Sequence, residues 1–479
     1  MDAKRVDGFR GFFSRNCPPI CFLVAYFVLI VLGNLIYASP YGRRAIAISG
    51  YPESILQLNH IFSFGYWVLL FMPFVVTPLV VVAVKKTLAS YVDAFSRNFP
   101  ELTKKWYLII FTLACAYVLV SFYRHGVAEL FLSGKDSVSS VVARFEIRDR
   151  LHFTVFMVMQ AIVPYLSYVA IINSSKKGGG FWLAAASVSV LMASLFFIMI
   201  NMKWPVVLYY AGAVLAIFLH TDRYAYTKAV VGGVFVVAAY LLISTVVFRL
   251  APEPTETVTS GPVAPLEISK STPLGDEKSK GFIGKSNDKI VAAEPSEVKI
   301  TAAAERAAEV SEAAVGAAPM LMMHLLSRMS ILVPYYYQEF TDHPSACGGI
   351  LVQAQPGPKC RPSTYIYKKL FFATNDQFLG QGTSPAAVHI TGYAVGGWTI
   401  AVFALVCASI ILGMLSCIPL NASSTVSAFG VVGALAGYHF SQIPGEGVLF
   451  YEHGLFWTFL LMAGYACAMR LFGGRAKTA

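Results

Sequence analysis

Residues Ile61–Val84 read IFSFGYWVLLFMPFVVTPLVVVAV, with no charged side chain anywhere in the run. An α-helix needs about 20 such residues to cross the hydrocarbon core of a bilayer. Backbone groups in lipid must be satisfied within the protein, which leaves helices and closed barrels as the options. Barrel strands alternate apolar and polar side chains, whereas this stretch is apolar on every side. It reads as a membrane-spanning helix. The whole chain agrees: 56% of its residues are hydrophobic and only 13% are charged, where a soluble protein carries about 25% charged residues. Its mean hydropathy is +0.62.

Working outward, further spans are expected at Ile20–Ala38, Trp106–Tyr123, Phe153–Ile172, Phe181–Ile200, Trp204–His220, Lys228–Phe248, Thr391–Ser416, Cys417–Tyr438 and Val448–Met469. With Ile61–Val84 they predict an all-α polytopic bundle of about ten transmembrane helices. The ninth is the most diluted, by Asn421, Ser423 and Ser424. No small-residue cleavage site follows Leu35, so the first span reads as a retained anchor and not as a signal peptide. The chain divides into residues 1–249 with seven spans, a polar loop over 250–390, and residues 391–479 with three spans.

Orientation follows from Lys and Arg in the short connections. With a cytoplasmic N-terminus, the inner segments hold Lys4, Arg5, Arg10, Arg15, Lys85, Lys86, Arg97, Lys104, Lys105, Lys176, Lys177, Arg223, Lys228, Arg470, Arg475 and Lys477. They hold only Asp2, Asp7, Asp93, Glu101 and Asp222 as acids, so the formal charge of +11 gathers on one face. This is an orientation signal and not a nucleic-acid footprint. It predicts cytoplasmic termini and an external loop over 250–390. Cys347 and Cys360 both fall in that loop, where an oxidising compartment would permit a disulfide; two free thiols is the other reading. No Cys/His cluster suggests a metal site.

Within the loop, Pro252 to Ile300 is rich in Pro, Ser, Thr, Glu and Lys without apolar periodicity and reads as a disordered tether. Thr301–Val315 is helical by propensity. Met320–Phe340, MLMMHLLSRMSILVPYYYQEF, reads as an amphipathic helix on the outer interface with Tyr335, Tyr336 and Tyr337 at headgroup level. His324 and Arg328 lie one turn apart on it, so both can face one pocket. Histidine titrates near neutral pH and can act as general base; the bland reading is a polar edge facing water. The loop returns to the membrane through Gly380–Trp398, GQGTSPAAVHITGYAVGGW, where His389 could line an external cavity or cap a helix. Gly392, Gly396 and Gly397 follow it and allow close helix approach.

Other ionisable groups gather at the external edge. ARFEIRDRLHF, Ala143–Phe153, carries Arg144, Arg148 and Arg150 just before the fourth span. Guanidinium forks suit phosphate oxygens, while the plain alternative is surface pairing with Glu146 and Asp149. Arg43 and Arg44 are similar. Lys203 sits in the short turn NMKW and either faces a phosphate or snorkels to the headgroups. Glu452 and His453 open the tenth span as a functional or a structural pair.

Leu326–Phe340 with its Leu-Ser-Arg-x-Ser run, Gly380–Gly397 with its Gly-Thr-Ser-Pro and His389, and more loosely Arg144–Leu151, resemble the bacterial O-antigen or oligosaccharide repeat-unit polymerases of the Wzy type. The related O-antigen ligases share that architecture. The resemblance covers under a tenth of the chain. It implies glycosyl transfer on the periplasmic face of the bacterial inner membrane. A glycan would leave undecaprenyl diphosphate and join a hydroxyl of a newly delivered lipid-linked repeat unit. It further implies neither a nucleotide sugar nor a metal cofactor, and a chain-length regulator and a flippase as working partners. On that reading Arg144, Arg148, Arg150, Lys203 and Arg328 hold the departing diphosphate, and His324 or His389 accepts the proton. An O-antigen ligase, a transporter or flippase of lipid-linked sugars, and a non-catalytic membrane scaffold stay open beside it.

Overall fold

In the computed structural model the described residues are 3–39, 56, 62–133, 143, 146–200, 203–221, 225–242, 330–349, 360–371, 384–419, 422–442 and 454–473. The tether at Pro252–Ile300 and the expected helix at Thr301–Val315 lie outside them. Among the described residues the protein is all-helical, with 87% helix and no strands, which removes the barrel option.

Among the described residues six helices are long and apolar enough to cross a membrane: α1 (Gly11–Tyr37), α2 (Phe64–Asn98), α3 (Lys104–Arg124), α5 (Phe153–Lys177), α6 (Gly180–Met199) and α11 (Val388–Leu415). The remaining helices are α4 (Val127–Ser133), α7 (Lys203–His220), α8 (Ala225–Leu242), α9 (Leu332–Asp342), α10 (Pro362–Phe371), α12 (Ser424–Ser441) and α13 (Leu455–Gly473). Apolar side chains such as Val75, Leu79, Leu113, Leu183 and Leu191 point outward. A soluble protein would not expose that much contiguous apolar surface; lipid covers it. This is a multi-pass membrane protein.

Helix α5 is the central post. In its apolar window 78% of residues are buried, against 33–39% in the other five. It packs on α3, α6, α7 and α12 to form one core, in which Ser167 and Tyr168 bond to the hydroxyl and carbonyl of Tyr209 at 2.6 and 3.1 Å. Pro164 has no N–H to return to Gln160, and the helix absorbs this with a π-helical turn at Val158–Ile162. The second core joins α1, α2 and α11 to α9 and α10.

The two cores meet where α12 lies along α1. A Cβ on Gly437 would sit 2.3 Å from the Pro18 carbonyl oxygen, and one on Gly433 would sit 2.8 Å from the Leu415 side chain of α11. Gly437 thus lets the backbones of α1 and α12 touch, the usual device for helix association in lipid.

The ends of several elements differ from the sequence expectation for identifiable reasons. Helix α1 begins well before Ile20 and continues through Pro18 and Pro19. Pro19 cannot donate to the Arg15 carbonyl, and Lys85 Nζ takes that carbonyl at 2.8 Å while bonding Asn16 Oδ1 at 2.6 Å. The helix expected from Cys417 starts at Ser424, because Ser423 Oγ caps Val426 N–H. Helix α11 is not one straight rod: Gly396 and Gly397 are non-helical, Gly397 at φ 66°, and the chain breaks between Val395 and Trp398. Gly392 thereby comes against the Ile400 carbonyl and Ala401 backbone.

The largest correction concerns Tyr335, Tyr336 and Tyr337. They are not presented to a surrounding interface; all three are buried within the protein, as are Leu332, Val333 and Phe340. Helix α9 is sunk into the second core against α11. Its amphipathic pattern marks contact with protein and not with an interface.

Candidate functional site

The site forms where α1, α2, α9 and the start of α11 converge, and it begins with a proline. Pro73 in α2 lacks the N–H that would serve the Leu69 carbonyl. Two side chains from other elements reach the Leu69–Leu70 turn. Tyr26 of α1 donates its hydroxyl to the Leu70 carbonyl at 2.9 Å, and His389 Nε2 lies 3.2 Å from that same hydroxyl. The Leu69 backbone also interacts with the imidazole. The tyrosine has one proton and Leu70 takes it, so Nε2 carries the hydrogen and Nδ1 is the acceptor nitrogen. Nδ1 makes no hydrogen bond to a described residue, although the ring is wholly buried. The two rings meet edge to face at 5.2 Å.

A second set of polar groups adjoins the first. Asn34, buried in α1 just past a π-helical turn at Phe27–Val31, donates to the Ile30 carbonyl at 2.8 Å and to the Ser330 carbonyl at 3.0 Å. Its oxygen accepts the Tyr66 hydroxyl of α2. Ser330 Oγ donates to the Tyr37 hydroxyl at 3.2 Å. One asparagine therefore ties α1, α2 and the chain entering α9 together, with both its donors and its acceptor used. Buried polar networks of this kind, when satisfied, fix one packing arrangement.

Helix α9 is held above this network by its own tyrosines. Tyr336 donates to the Ser384 carbonyl at 2.8 Å, and Tyr337 meets Ser63 Oγ at 3.1 Å. Tyr337 stacks on Tyr393 at 5.6 Å, and the Tyr393 hydroxyl meets Thr341 Oγ1 at 2.9 Å. Gly65 is needed beneath: a Cβ there would stand 2.5 Å from the Tyr337 hydroxyl.

On its far side α9 faces α10. Cys347 and Cys360, in the connection between the two helices, form a disulfide. Glu339 is buried and accepts from the Tyr365 hydroxyl at 2.8 Å and from Lys369 Nζ. Burial, aided by the neighbouring Glu339 carboxylate, pushes the Tyr365 phenol up to about 12. Tyr365 therefore remains a donor at neutral pH.

The sequence candidates fare unequally. His389 belongs to the buried network and does not face a solvent cavity. Arg150 pairs with Glu146 on the surface, both half exposed, an arrangement worth little. Arg148 is exposed. Lys203 begins α7, but its side chain lies outside the described residues, as do Arg43, Arg44, Arg144, His324, Arg328, Glu452 and His453. Ser330 anchors the residue next to the 324–329 stretch directly to α1. Tyr26, Asn34, Tyr37, Tyr66, Glu339, Tyr365 and Lys369 escaped the sequence reading. Asn34 alone carried a signal, as an amide inside an apolar span.

Among the described residues no three His, Cys, Asp or Glu side chains gather closely enough to hold a metal ion. Among the described residues Glu339 is the one buried carboxylate, and no Lys or Arg is buried. The arrangement can accept and donate hydrogen bonds at the loop end of the bundle. No protein-family model, curated protein or solved structure matches the chain.

Proposed function

We propose that this protein polymerises undecaprenyl-diphosphate-linked oligosaccharide repeat units on the periplasmic face of the bacterial inner membrane. In this reading the ten apolar helices all span, both termini are cytoplasmic and the loop over 250–390 is periplasmic. The growing glycan leaves its lipid diphosphate as the sugar–phosphate bond breaks. A hydroxyl of the incoming lipid-linked unit forms the new glycosidic bond and gives up its proton.

One observation supports the reading above the others: residues 330–342 are built into the helical core through Asn34, Tyr66, Tyr336 and Tyr337. A loop anchored this way lies beside lipid-facing helices. An isoprenoid tail can then stay in the membrane while its sugars meet loop residues. Arg144, Arg148, Arg150, Lys203 and Arg328 serve as the fixed cations for the leaving diphosphate. His324, close in sequence to the anchored Ser330, accepts the proton. His389 acts from inside the bundle as a positioning residue that holds α1, α2 and α11 in register. The ligase reading uses the same groups on a finished chain. A flippase would want charged groups deep in the bundle, and the described residues bury no Lys or Arg there.

Deletion in the producing cell tests the assignment. Loss of a polymerase leaves single repeat units on the acceptor; loss of a ligase leaves none attached. Loss of a flippase leaves lipid-linked units confined to the cytoplasmic leaflet, and either of these last two outcomes overturns the proposal.

A further inference from the structure

We propose that the exposed seam between the end of α3 and the start of α5 docks the diphosphate of a membrane lipid, with Arg124, Arg148 and the His152 Nε2–H as its donors. This deepens the polymerase reading, which supplies the identity of the lipid.

The seam starts from a polar stripe on an apolar helix. Tyr117, Ser121 and Arg124 recur at i, i+4 and i+7 and so share one face of α3. The Tyr117 hydroxyl meets Thr154 Oγ1, which turns that face toward the first turn of α5. Arg124 lies seven residues beyond Tyr117, about 10 Å further along the axis. Tyr117 is 42% exposed, and Leu113, Leu119 and Val120 beside it are exposed too. The seam therefore opens sideways, where lipid covers the apolar side chains.

Across the seam, His152 caps α5. Its Nδ1 accepts the Thr154 N–H at 3.4 Å and meets Thr154 Oγ1 at 2.9 Å. A nitrogen that accepts a backbone N–H carries no proton, so the hydrogen is on Nε2. His152 is exposed, and its Nε2 meets no described acceptor. The bonds from Thr154 and Tyr117 thus hold the ring with its one donor facing out. Just upstream, burial of Ile147 and Leu151 leaves Arg148 exposed. Arg150 is taken by Glu146, so Arg124 and Arg148 are the unpaired guanidinium groups here among the described residues. Asp149 projects about 100° round the turn from Arg148. Two guanidinium forks and an outward N–H suit phosphate oxygens, and a lateral opening admits a headgroup whose tail stays in the membrane.

The test uses the full chain purified in detergent. The probe is farnesyl diphosphate, its binding read from phosphorus NMR line widths, with inorganic pyrophosphate and phosphatidylglycerol in separate arms. A parallel assay reads elongation of the intact lipid-linked substrate. His152→Asn keeps a good helix cap and removes the outward donor; Arg148→Gln removes one fork. Each is expected to weaken farnesyl diphosphate binding about 10-fold, the loss of a hydrogen bond to a charged oxygen. Each is expected to raise KM for the lipid-linked substrate while kcat is kept.

Wild-type elongation with binding unchanged in both variants overturns the seam and leaves the polymerase reading standing. Binding that the variants lose, without elongation by the wild type, supports the seam and overturns the polymerase reading. Absence of both overturns both. Phosphatidylglycerol or pyrophosphate bound as tightly as farnesyl diphosphate overturns the lipid diphosphate as occupant. Should His152→Asn lower the unfolding midpoint, Arg148→Gln decides, since that side chain holds no described partner. Weaker binding supports the seam, and unchanged binding overturns it.

Discussion

Replacing Gly437 by alanine puts one methyl group between α1 and α12. Built on the backbone, that carbon stands 2.3 Å from the Pro18 oxygen and 3.2 Å from both the Pro18 carbonyl carbon and the Phe22 nitrogen. The first distance is roughly 1 Å short of van der Waals contact. Every atom it meets is backbone, so no rotamer change relieves it and α1 has to move as a unit. Overpacking of this kind costs about 1–3 kcal/mol. Alanine also gains about 0.5–1 kcal/mol over glycine as a helix former, which blurs the reading of one variant alone.

Gly430 supplies the control. It lies on the same helix, and a Cβ there meets nothing nearer than 3.8 Å. Gly430→Ala therefore collects the propensity gain without the clash, and the difference between the two variants isolates the contact at about 1–3 kcal/mol. Thermal unfolding of the purified protein in detergent measures it. Because α1 carries Tyr26, Asn34 and Tyr37, the displacement is expected to reach the polar network and lower activity in Gly437→Ala alone. Equal unfolding midpoints for the two variants would show that α1 and α12 do not touch at Gly437, and the account of how the two cores join would fail.

Asn34→Leu strips the Tyr66 hydroxyl and the Ser330 carbonyl of their partner; at about 1–3 kcal/mol for an orphaned buried group it should lower the unfolding midpoint clearly, whereas Asn98→Leu, at an exposed helix end, should stay within about 0.5 kcal/mol. The Glu101 carboxyl gives a pH dependence. Burial pushes its pKa up, but hydrogen bonds from Lys177 at 2.5 Å and Ser424 at 2.9 Å outweigh this and hold it below the ordinary 4.5. A carboxyl depressed on folding lends stability above its unfolded pKa and loses it as pH falls through the folded one. Below pH 4.5 the wild type should therefore lose stability more steeply than Glu101→Gln, as unfolding midpoints across an acid series would record. For the disulfide, a maleimide-linked polymer should label Cys347 and Cys360 only after reduction. Cys347→Ser should cost about 3 kcal/mol, as expected for a loop near 15 residues.

Much of the helical layout was legible because apolar run length is a direct signal in a chain meant for lipid. The helix ends were less so. Pro19, Pro73 and Pro164 sit inside helices: Lys85 serves the first and Tyr26 with His389 the second from distant segments, while a π-helical turn absorbs the third. Gly396 and Gly397 suggested close packing; the break they impose on α11 follows from φ angles that composition does not reveal.

The polar network was hidden for a related reason. Tyr26 and Tyr37 of α1 and Tyr66 of α2 lie in apolar helices, where a phenol passes for one more ring, and only tertiary packing joins their hydroxyls to the network. The α9 tyrosines misled because an amphipathic pattern is the same whether the apolar partner is a headgroup layer or another helix. Glu339 and Lys369 are distant in sequence and meet only once α10 folds back on α9.

The central claim is best tested with purified protein in proteoliposomes, supplied with the cell's own lipid-diphosphate oligosaccharide as sole substrate. The account predicts a ladder of longer glycans spaced by one repeat unit, with one undecaprenyl diphosphate freed for each step. Substrate that crosses the bilayer unextended, or that stays unchanged in length with no diphosphate released, would contradict it.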